Sequence, residues 1–419
     1  MARRRQPGPR DRRPAGREGL GRPAAALHGE EHRRGTERPG QGRLEHRVRV
    51  QAGVPQAVGP PVSREHSARA AVATADPADH TTGTHGGGGG LDEAGPAGRR
   101  RGASAVTELL SRYSLIAVLA LLWIAFSLWN PSVFLTTANL QTILLQQATV
   151  GILALAIVVP LIAGHYDLSS GFQFGLAQSL CAVLVMREGW NPLAAVAVVL
   201  MAGMVIGVVN GQLITRLSLP SFTTTLGTGL VILGISEYLT KNQVITGNAA
   251  QWFLDLGRGT LLGMPLPFVY LALAGVVLFV MLELTVWGRK AYAVGANPSA
   301  ARLSGIAADR VVRQSFVVTG GMCALAGCVS VTSLGGSSPV VGFGSLLPAF
   351  AAAFLGATCI RPGRYNVAGT VVAVYVIGVG IIGLQQKGAA VYVQDLFNGG
   401  ALLIAVVVAE LVRRRRVAA

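Results

Sequence analysis

The chain has 419 residues, of which 51% are hydrophobic and only 13% charged, and its mean hydropathy is +0.48. This balance excludes an ordinary soluble protein and indicates a chain that is solvated largely by lipid. The net charge of +16 and the pI near 10.7 are typical of proteins that bind nucleic acids or anionic membranes. The charge is concentrated, however, because residues 1–101 hold 19 of the 36 basic residues and 11 of the 20 acidic residues.

The first 105 residues differ in composition from the rest of the chain. Residues 1–102 are rich in Arg, Pro, Gly and Ala and contain no Phe, Tyr, Trp, Ile or Lys. Such a segment buries too little apolar surface to offset its ordering entropy, so we predict a disordered tail over 1–105. A basic arm for nucleic acid or anionic lipid is less favoured, because acidic residues are interleaved through it. A further hypothesis places the true start of translation near Val106, which N-terminal sequencing of the expressed protein tests.

From Tyr113 onward the chain is built of ten apolar stretches, most of them 17 to 25 residues long. An α-helix needs about 20 residues to cross roughly 30 Å of hydrocarbon. We therefore predict an all-α polytopic membrane protein over 106–419. The ten predicted spans lie near 113–129, 140–163, 169–186, 193–215, 222–240, 267–286, 314–333, 346–360, 367–384 and 396–412.

Arginine and lysine in the short connections indicate the orientation, because positive charge is retained on the cytoplasmic side of a membrane. With the N-terminus inside, the cytoplasmic residues are Arg112, Arg216, Arg289, Lys290, Arg302, Arg310, Arg313, Arg361, Arg364 and Arg413–Arg416. The basic residues left on the opposite face are Arg187, Lys241, Arg258 and Lys387. Both termini are therefore expected in the cytoplasm.

Few residues suit chemistry at a metal or a phosphate. The four cysteines fall in predicted spans with no CxxC pattern, and His165 is the only histidine after the tail, so no zinc cluster is predicted. There is no GxxxxGK[ST] phosphate loop, so the chain is not expected to bind or hydrolyse ATP by itself. No catalytic residue, metal or cofactor is predicted for this chain, and a membrane-embedded enzyme is disfavoured.

The segment 287–312 joins two predicted spans and carries a helix signal of its own. Asn297 can cap a helix, Pro298 suits its first position and Gly305 suits the residue past its end. We therefore predict a short helix over Pro298–Ser304. Seven residues are too few for a stable helix in water, so this helix must dock either on its own membrane domain or on another protein.

Three blocks of sequence resemble the permease subunits of bacterial ABC sugar importers of the ribose/xylose type, and the resemblance covers essentially all of 107–416. The blocks read GHYDLSSG at 164–171; NG at 210–211 with LPSF at 219–222 and TLGT at 225–228; and YAVGAN at 292–297 with AARLSG at 300–305. The first is similar to the family pattern G-x-[IY]-D-L-S-x-G. The chain departs from many members of the family at Leu346 and Pro348, where acidic residues are common, and this leaves the sugar open.

The resemblance implies a ten-span permease dimer, two cytoplasmic ATPase subunits that bind the ATP, and an extracytoplasmic sugar-binding protein that delivers the substrate. It also implies that Pro298–Gly305 is a coupling helix received by a cleft in the ATPase. The residues expected to form this ATPase-coupling loop are Gly295, Asn297, Pro298, Ala301, Arg302, Leu303, Ser304 and Gly305. Whether the second permease is another copy of this chain or a related one stays open.

Asp167, Ser169 and Gly171 form a motif that is expected near the membrane edge. The polar break over 165–170 separates two spans, and a carboxylate there can cap the first amides of the next helix. A gate or a contact with the ATPase is the alternative role for Asp167.

Glycines and neutral polar residues occur inside the predicted spans. Gly203, Gly207 and Gly211 repeat every fourth residue and are expected to permit close helix packing. The neutral polar residues Gln146, Gln147, Gln173, Gln178, Asn210, Thr223 and Thr224 suit the passage of an uncharged polyol. Each of them is individually more expected to bond another helix than to touch a substrate.

Together these observations predict a permease subunit that imports a monosaccharide across the bacterial plasma membrane by alternating access, driven by ATPase subunits that act on the 287–312 loop. Its expected surroundings are the bilayer and its partner proteins, with no nucleic acid. The main alternative is a secondary transporter driven by an ion gradient, which needs titratable groups near the midplane of the membrane. Asp167, Glu237 and Glu283 are the candidates, and all three are expected near span ends.

Overall fold

The computed structural model describes the backbone of residues 97–338 and 340–417 and the side chains of residues 112–338 and 340–407. Residues 1–96 of the predicted tail lie outside the described residues. The first helix begins at Ala97, inside the remaining part of that tail and before the alternative start at Val106.

The described residues fold into helices with very little strand. The helices are α1 (Ala97–Trp129), α2 (Pro131–Phe134), α3 (Thr137–Ile162), α4 (Ser169–Arg187), α5 (Pro192–Arg216), α6 (Ser221–Thr240), α7 (Gln251–Arg258), α8 (Leu266–Leu284), α9 (Val286–Ala296), α10 (Pro298–Leu303), α11 (Ala308–Leu334), α12 (Val341–Gly356), α13 (Val367–Gln385) and α14 (Tyr392–Val417). The last five residues of α4 and of α8 are π-helical turns, Val183–Arg187 and Val280–Leu284.

The predicted all-α polytopic fold is confirmed. Eight of the described helices are long and apolar enough to cross a membrane, and they match eight of the ten predicted spans. The other two predictions coincide with α12, which has 16 residues, and with α14, which carries a shorter apolar stretch at Tyr392–Val407. The predicted seventh span began at 314, whereas α11 already begins at Ala308, because its first turns carry charged residues that a hydropathy pattern does not count as span.

Polar side chains define where several of these helices begin. The side chain of Thr136 accepts a hydrogen bond from the Asn139 amide, and Asn191 and Asn366 cap α5 and α13 in the same way. An accepting side chain at this position satisfies one of the amides that a helix leaves free at its start. Asn191 is followed by Pro192, whose fixed φ suits the first helical position.

The core of the bundle consists of α3, α4, α11 and α13, which are largely buried. Residues 151–162 of α3 are buried without interruption. A helix that is apolar on all sides belongs inside a bundle. By contrast, α1, α5, α6, α8 and α14 expose large apolar side chains such as Leu121, Val231 and Leu403. Such an apolar outer surface suits contact with lipid or with another membrane protein.

Loop contacts define two ends of the bundle. At one end, which we call the arginine-rich end, lie the turn 163–168 and the loops 285–307 and 357–366. The Ile360 amide donates to the Arg112 carbonyl there, at 2.8 Å, and Arg361 pairs with Glu283. The predicted cytoplasmic residues with described side chains lie at or near this end.

The other end, which we call the opposite end, holds four short strands: β1 (Ile245–Thr246), β2 (Thr260–Leu261), β3 (Met264–Pro265) and β4 (Gly336–Ser337). β1 pairs antiparallel with β4, and β2 pairs antiparallel with β3. The β1–β4 pair ties the loop after α6 to the loop after α11. The Gln141 side chain adds a bond of 2.9 Å to the Gly263 carbonyl.

Candidate functional site

The sequence blocks quoted above come together at the turn 163–168, although they are far apart in the chain. The Tyr166 amide donates to the Ser221 hydroxyl at 3.2 Å, and the Leu168 amide donates to the Thr225 hydroxyl at 3.0 Å. Both acceptors belong to the LPSF and TLGT segments at the start of α6. The arginine-rich end therefore has one structured centre rather than several separate loops.

Ser169 connects this turn to the middle of the bundle. Its hydroxyl donates to the Asp167 carboxylate and accepts from the side-chain amides of Gln173, at 2.7 Å, and Asn210, at 2.8 Å. The Ser169 amide also donates to the same carboxylate oxygen, at 3.0 Å. One hydroxyl thus joins α4 to α5, whereas the sequence alone predicted its partners Gln173 and Asn210 only as polar residues inside spans.

Asp167 is completely buried, although it lies in a turn between helices. Its carboxylate accepts from the first amide of α4, and the residue directly before the helix is Leu168, with no side-chain cap of its own. Burial raises the pKa of Asp167 to about 6, against the opposing effect of hydrogen bonds from Ser169 and Ser170. The nearby His165 is largely buried as well, and burial lowers its pKa.

The raised pKa of Asp167 predicts a pH dependence of folding stability. The carboxyl of Asp167 holds its proton more tightly in the folded than in the unfolded chain. The contribution of the protonated carboxyl to folding stability is therefore complete below about pH 4 and is lost as the pH rises through about 6. We expect Asp167→Asn to flatten this part of the curve of melting temperature against pH in detergent. His165 acts in the opposite sense, because its lowered pKa reduces the folding stability at low pH. His165 is present in both proteins, so the difference between the melting temperatures of wild type and variant reports the carboxyl alone.

The matched control for this measurement is Asp255→Asn, which changes an exposed carboxylate on α7. It is expected to leave the wild-type curve unchanged. A curve for Asp167→Asn that coincides with the wild-type curve between pH 4 and pH 7 would contradict the burial argument.

The short helix α10 projects from the arginine-rich end, between α9 and α11. The Asn297 side chain accepts from the Ala300 amide at 3.0 Å, and Pro298 occupies the first helical position, as the sequence predicted. The helix ends at Leu303, one residue earlier than predicted, because Ser304 closes it as the C-cap. Gly305 follows with a φ of +76°, which glycine adopts without a steric penalty.

One side of α10 packs on the protein and the other side is free. Ala301 is buried, whereas Leu303 is 91% exposed. Arg302 is half exposed and pairs with Asp309 of α11 at 2.7 Å. The outer side of α10 thus carries an apolar side chain that the described residues leave uncovered.

Gly295 joins the loop 285–307 to the turn 163–168. A Cβ built on Gly295 would overlap the carbonyl oxygen of Ile162 at the end of α3, and a Cβ on Gly164 would lie 3.3 Å from the Gly295 Cα. The backbones touch because neither residue has a side chain. The loop that carries α10 is therefore in direct backbone contact with the end of α3 and with the turn that holds Asp167.

A second contact set at the arginine-rich end was not foreseen from the sequence. Arg361 pairs with Glu283, and the Arg364 guanidinium lies 4.2 Å from the centre of the Tyr292 ring. The Tyr292 hydroxyl donates to the Tyr365 carbonyl at 2.9 Å. Burial and the neighbouring Glu283 raise the pKa of Tyr292 to about 12, so it stays a neutral donor. The only signal in the sequence was the pair of arginines in a short loop.

Comparison of the sequence with known proteins places the chain in a family. Residues 139–407 match the family model described as "Branched-chain amino acid transport system / permease component". The chain belongs to this family of permeases. The match includes the turn 163–168, α10 and the 357–366 loop, so every contact described above except those of Arg112 and Thr136 lies within it.

Among the relatives of the permease are two ribose import permease proteins RbsC. The one from Bacillus subtilis is 35% identical over 289 residues, covering 69% of this chain and 89% of the relative. The one from Escherichia coli is 33% identical over 303 residues, covering 72% and 94%. The L-arabinose ABC transporter permease protein AraH of Azospirillum brasilense is 29% identical over 317 residues, covering 75% and 92%. No solved structure was found to match the chain.

These relatives confirm the resemblance to permease subunits of sugar ABC importers. With the helices long enough to cross a bilayer, they also confirm a multi-pass protein of the inner membrane. Among the described residues of the permease, no group of three or more His, Cys, Asp or Glu residues is placed to hold a metal ion.

Glycines set the spacing between the core helices of the permease. A Cβ on Gly203 or Gly207 would overlap the carbonyl oxygens of Gly320 and Phe316 in α11, and a Cβ on Gly211 would lie 2.9 Å from the Arg313 Cα. Gly171 of α4 makes a similar approach to α12, where its Cβ would lie 2.7 Å from the Gly342 carbonyl oxygen. These four glycines therefore lie where backbones touch.

Most of the neutral polar residues inside the spans bond to another helix or to their own. The Gln178 amide donates to the Ser330 hydroxyl at 2.7 Å, and Thr223 and Thr224 bond back to the Pro220 carbonyl. Gln146 and Gln147 differ, because both line a cavity between α3, α12, α13 and α14.

Proposed function

We propose that this permease is the membrane-spanning subunit of an ABC importer that carries a monosaccharide of the ribose or xylose kind across the plasma membrane by alternating access. Separate ATPase subunits bind and hydrolyse the ATP, and an extracytoplasmic binding protein delivers the sugar. A second permease completes the transporter. The relatives support the substrate class, since they are described as ribose, fructose, allose and L-arabinose permeases.

In this proposal the arginine-rich end faces the cytoplasm. The positive-inside rule supports this orientation, because the opposite end has far fewer basic residues. Both termini then lie inside the cell, and α10 faces the compartment where ATP is hydrolysed. The opposite end receives the binding protein.

The observation that carries the proposal is the exposed helix α10, whose flanking loop is held by backbone contacts to the end of α3 and the turn 163–168. Its outer surface is free, with Leu303 almost fully exposed, and its base is fixed through Gly295 to the turn 163–168. A partner that binds α10 can therefore shift the equilibrium between two arrangements of α3 and α4 without entering the membrane.

Changing Leu303 tests the docking of the ATPase. We expect Leu303→Asp to lower co-purification of the ATPase subunits by about tenfold or more, because a charge replaces an apolar contact at the centre of the surface. Leu262→Asp is the matched control, since Leu262 is 94% exposed at the opposite end. It should leave co-purification unchanged. Equal retention of the ATPase by both variants would overturn the coupling role of α10.

An ion-gradient-driven carrier is the second candidate, and the burial of Asp167 is the observation that favours it. Glu283 no longer supports it, because this carboxylate pairs with Arg361 at the arginine-rich end. The two functions separate in cells: for the ABC importer, deletion of the ATPase abolishes uptake and a protonophore does not. The reverse result would establish the ion-driven carrier.

A further inference from the structure

A cavity of about 210 Å³, lined by both polar and apolar side chains, lies between α3, α12, α13 and α14. Its polar lining consists of six uncharged side chains: Gln146, Gln147, Ser345, Gln385, Gln394 and Asn398. Three other large cavities in the described part of the permease are lined almost wholly by apolar groups. This cavity therefore differs in its lining from the apolar gaps between the other helices.

The cavity runs inward from the opposite end. Gln385 is the last residue of α13, and its amide donates to the Gln394 side chain near the start of α14, at 3.3 Å. Gln146 lies nine residues after the start of α3, which at 1.5 Å per residue is roughly 14 Å along the helix. The cavity thus reaches about half of the 30 Å hydrocarbon layer.

One buried side-chain atom at this cavity has no hydrogen-bond partner among the described residues, and one backbone carbonyl there is left without its usual helical donor. Asn398 is only 5% exposed, and its side-chain carbonyl oxygen accepts no hydrogen bond from the described residues. Pro348 has no N–H to donate to the carbonyl of Gly344, four residues earlier in α12, and both residues line the cavity. A buried polar group without a partner is destabilising, and inside a membrane such groups are tolerated where they line a polar cavity.

Glycines keep the cavity open. A Cβ on Gly378 of α13 would overlap the side chain of Gln147, so this glycine makes room for the glutamine. A Cβ on Gly344 would meet no atom within 4 Å, so the space in front of it is free. A larger side chain at residue 344 would therefore fill the cavity without a clash of backbones.

We infer that this cavity is a transit site for the sugar itself, entered from the opposite end. The inference rests on the proposed function. Its lining has hydrogen-bond donors and acceptors but no Asp, Glu, Lys or Arg, which suits an uncharged polyhydroxylated solute. The cavity also has no aromatic ring among its lining residues, so we expect sugar to bind weakly, as a site on a transport path must release what it binds.

The test uses the complete transporter, with ATPase subunits and binding protein, in liposomes. Initial uptake is measured with radiolabelled D-ribose, L-arabinose, D-allose and D-fructose. We expect Gly344→Leu and Asn398→Leu to lower uptake about tenfold or more, and Asn398→Gln to alter the ratio of pentose to hexose uptake. The control Gln243→Leu changes an exposed glutamine at the same end, outside the cavity, and should match wild type.

Thiol labelling reports occupancy without turnover. The four native cysteines are buried, so Gly344→Cys supplies the accessible thiol. A saturating concentration of the same sugars is expected to slow its reaction with a small maleimide severalfold. ATP-driven uptake by wild type with unchanged uptake in the cavity variants and no protection of the thiol would overturn the transit site and leave the proposed function intact. Wild type without ATP-driven uptake would overturn the proposed function. In that case, protection of the Gly344→Cys thiol by sugar would still support sugar binding in the cavity, and lack of protection would contradict it.

Discussion

Gly295→Val is expected to abolish coupled transport while the permease still inserts in the membrane. The added side chain would overlap the Ile162 carbonyl and push the loop 285–307 away from the turn 163–168. Overpacking of a tight contact costs up to about 3 kcal/mol, which corresponds to roughly a hundredfold change in a rate or an equilibrium. We therefore expect the rate of sugar uptake to fall about a hundredfold, while the ATPase subunits still hydrolyse ATP.

The measurement compares uptake and ATP hydrolysis in the same proteoliposomes. Gly227→Val is the matched control, because Gly227 lies in α6 near the same end and a Cβ there meets no atom within 4 Å. It should retain both activities. Uptake by Gly295→Val at the wild-type rate would show that the contact between Gly295 and α3 does not transmit movement.

Gly207→Leu is expected to have the largest effect on stability. A Cβ at this position would overlap the carbonyl oxygen of Phe316, and withdrawal of α5 would also break the close contacts of Gly203 and Gly211 with the same helix. Separating α5 from α11 also strains the bond from the Asn210 amide to Ser169. We expect a loss of more than about 3 kcal/mol, enough to prevent recovery of a folded permease.

This prediction is checked by the fraction of monodisperse protein after detergent extraction and by its melting temperature. Gly234→Leu is the control, because Gly234 also lies inside a spanning helix but has no atom within 4 Å of an added Cβ. Near-normal recovery is expected for it. Equal recovery of Gly207→Leu and Gly234→Leu would mean that the glycine stripe of α5 has no packing role.

The two largest expected effects, on transport and on stability, thus arise from substitutions at backbone contacts and not at charged groups. The glycine pairs at 164 and 295 and at 203 and 320 bring helices into direct contact. Packed elements of this kind have discrete arrangements instead of deforming gradually. This property suits a permease that alternates between two states when a partner acts on α10.

The sequence by itself determined the local features of the permease. The length of each apolar stretch predicted the spans, the Asn297–Pro298 pair predicted the start of α10, and the distribution of arginine predicted which loops share one end of the bundle. These features depend on residues within one or two helical turns, on the hydrophobic thickness of a bilayer and on loop charge. The position of Asp167 at a turn was predicted for the same reason.

Only the tertiary structure decided which of these features meet. It placed Ser169 between Gln173 and Asn210, set Gly295 against Ile162, and paired Glu283 with Arg361. It also grouped Gln146, Ser345 and Asn398 around one cavity, while other polar residues of the spans bond within the protein. These contacts join residues up to some 250 positions apart, and no local pattern encodes such a distance, because it results from the packing of whole helices.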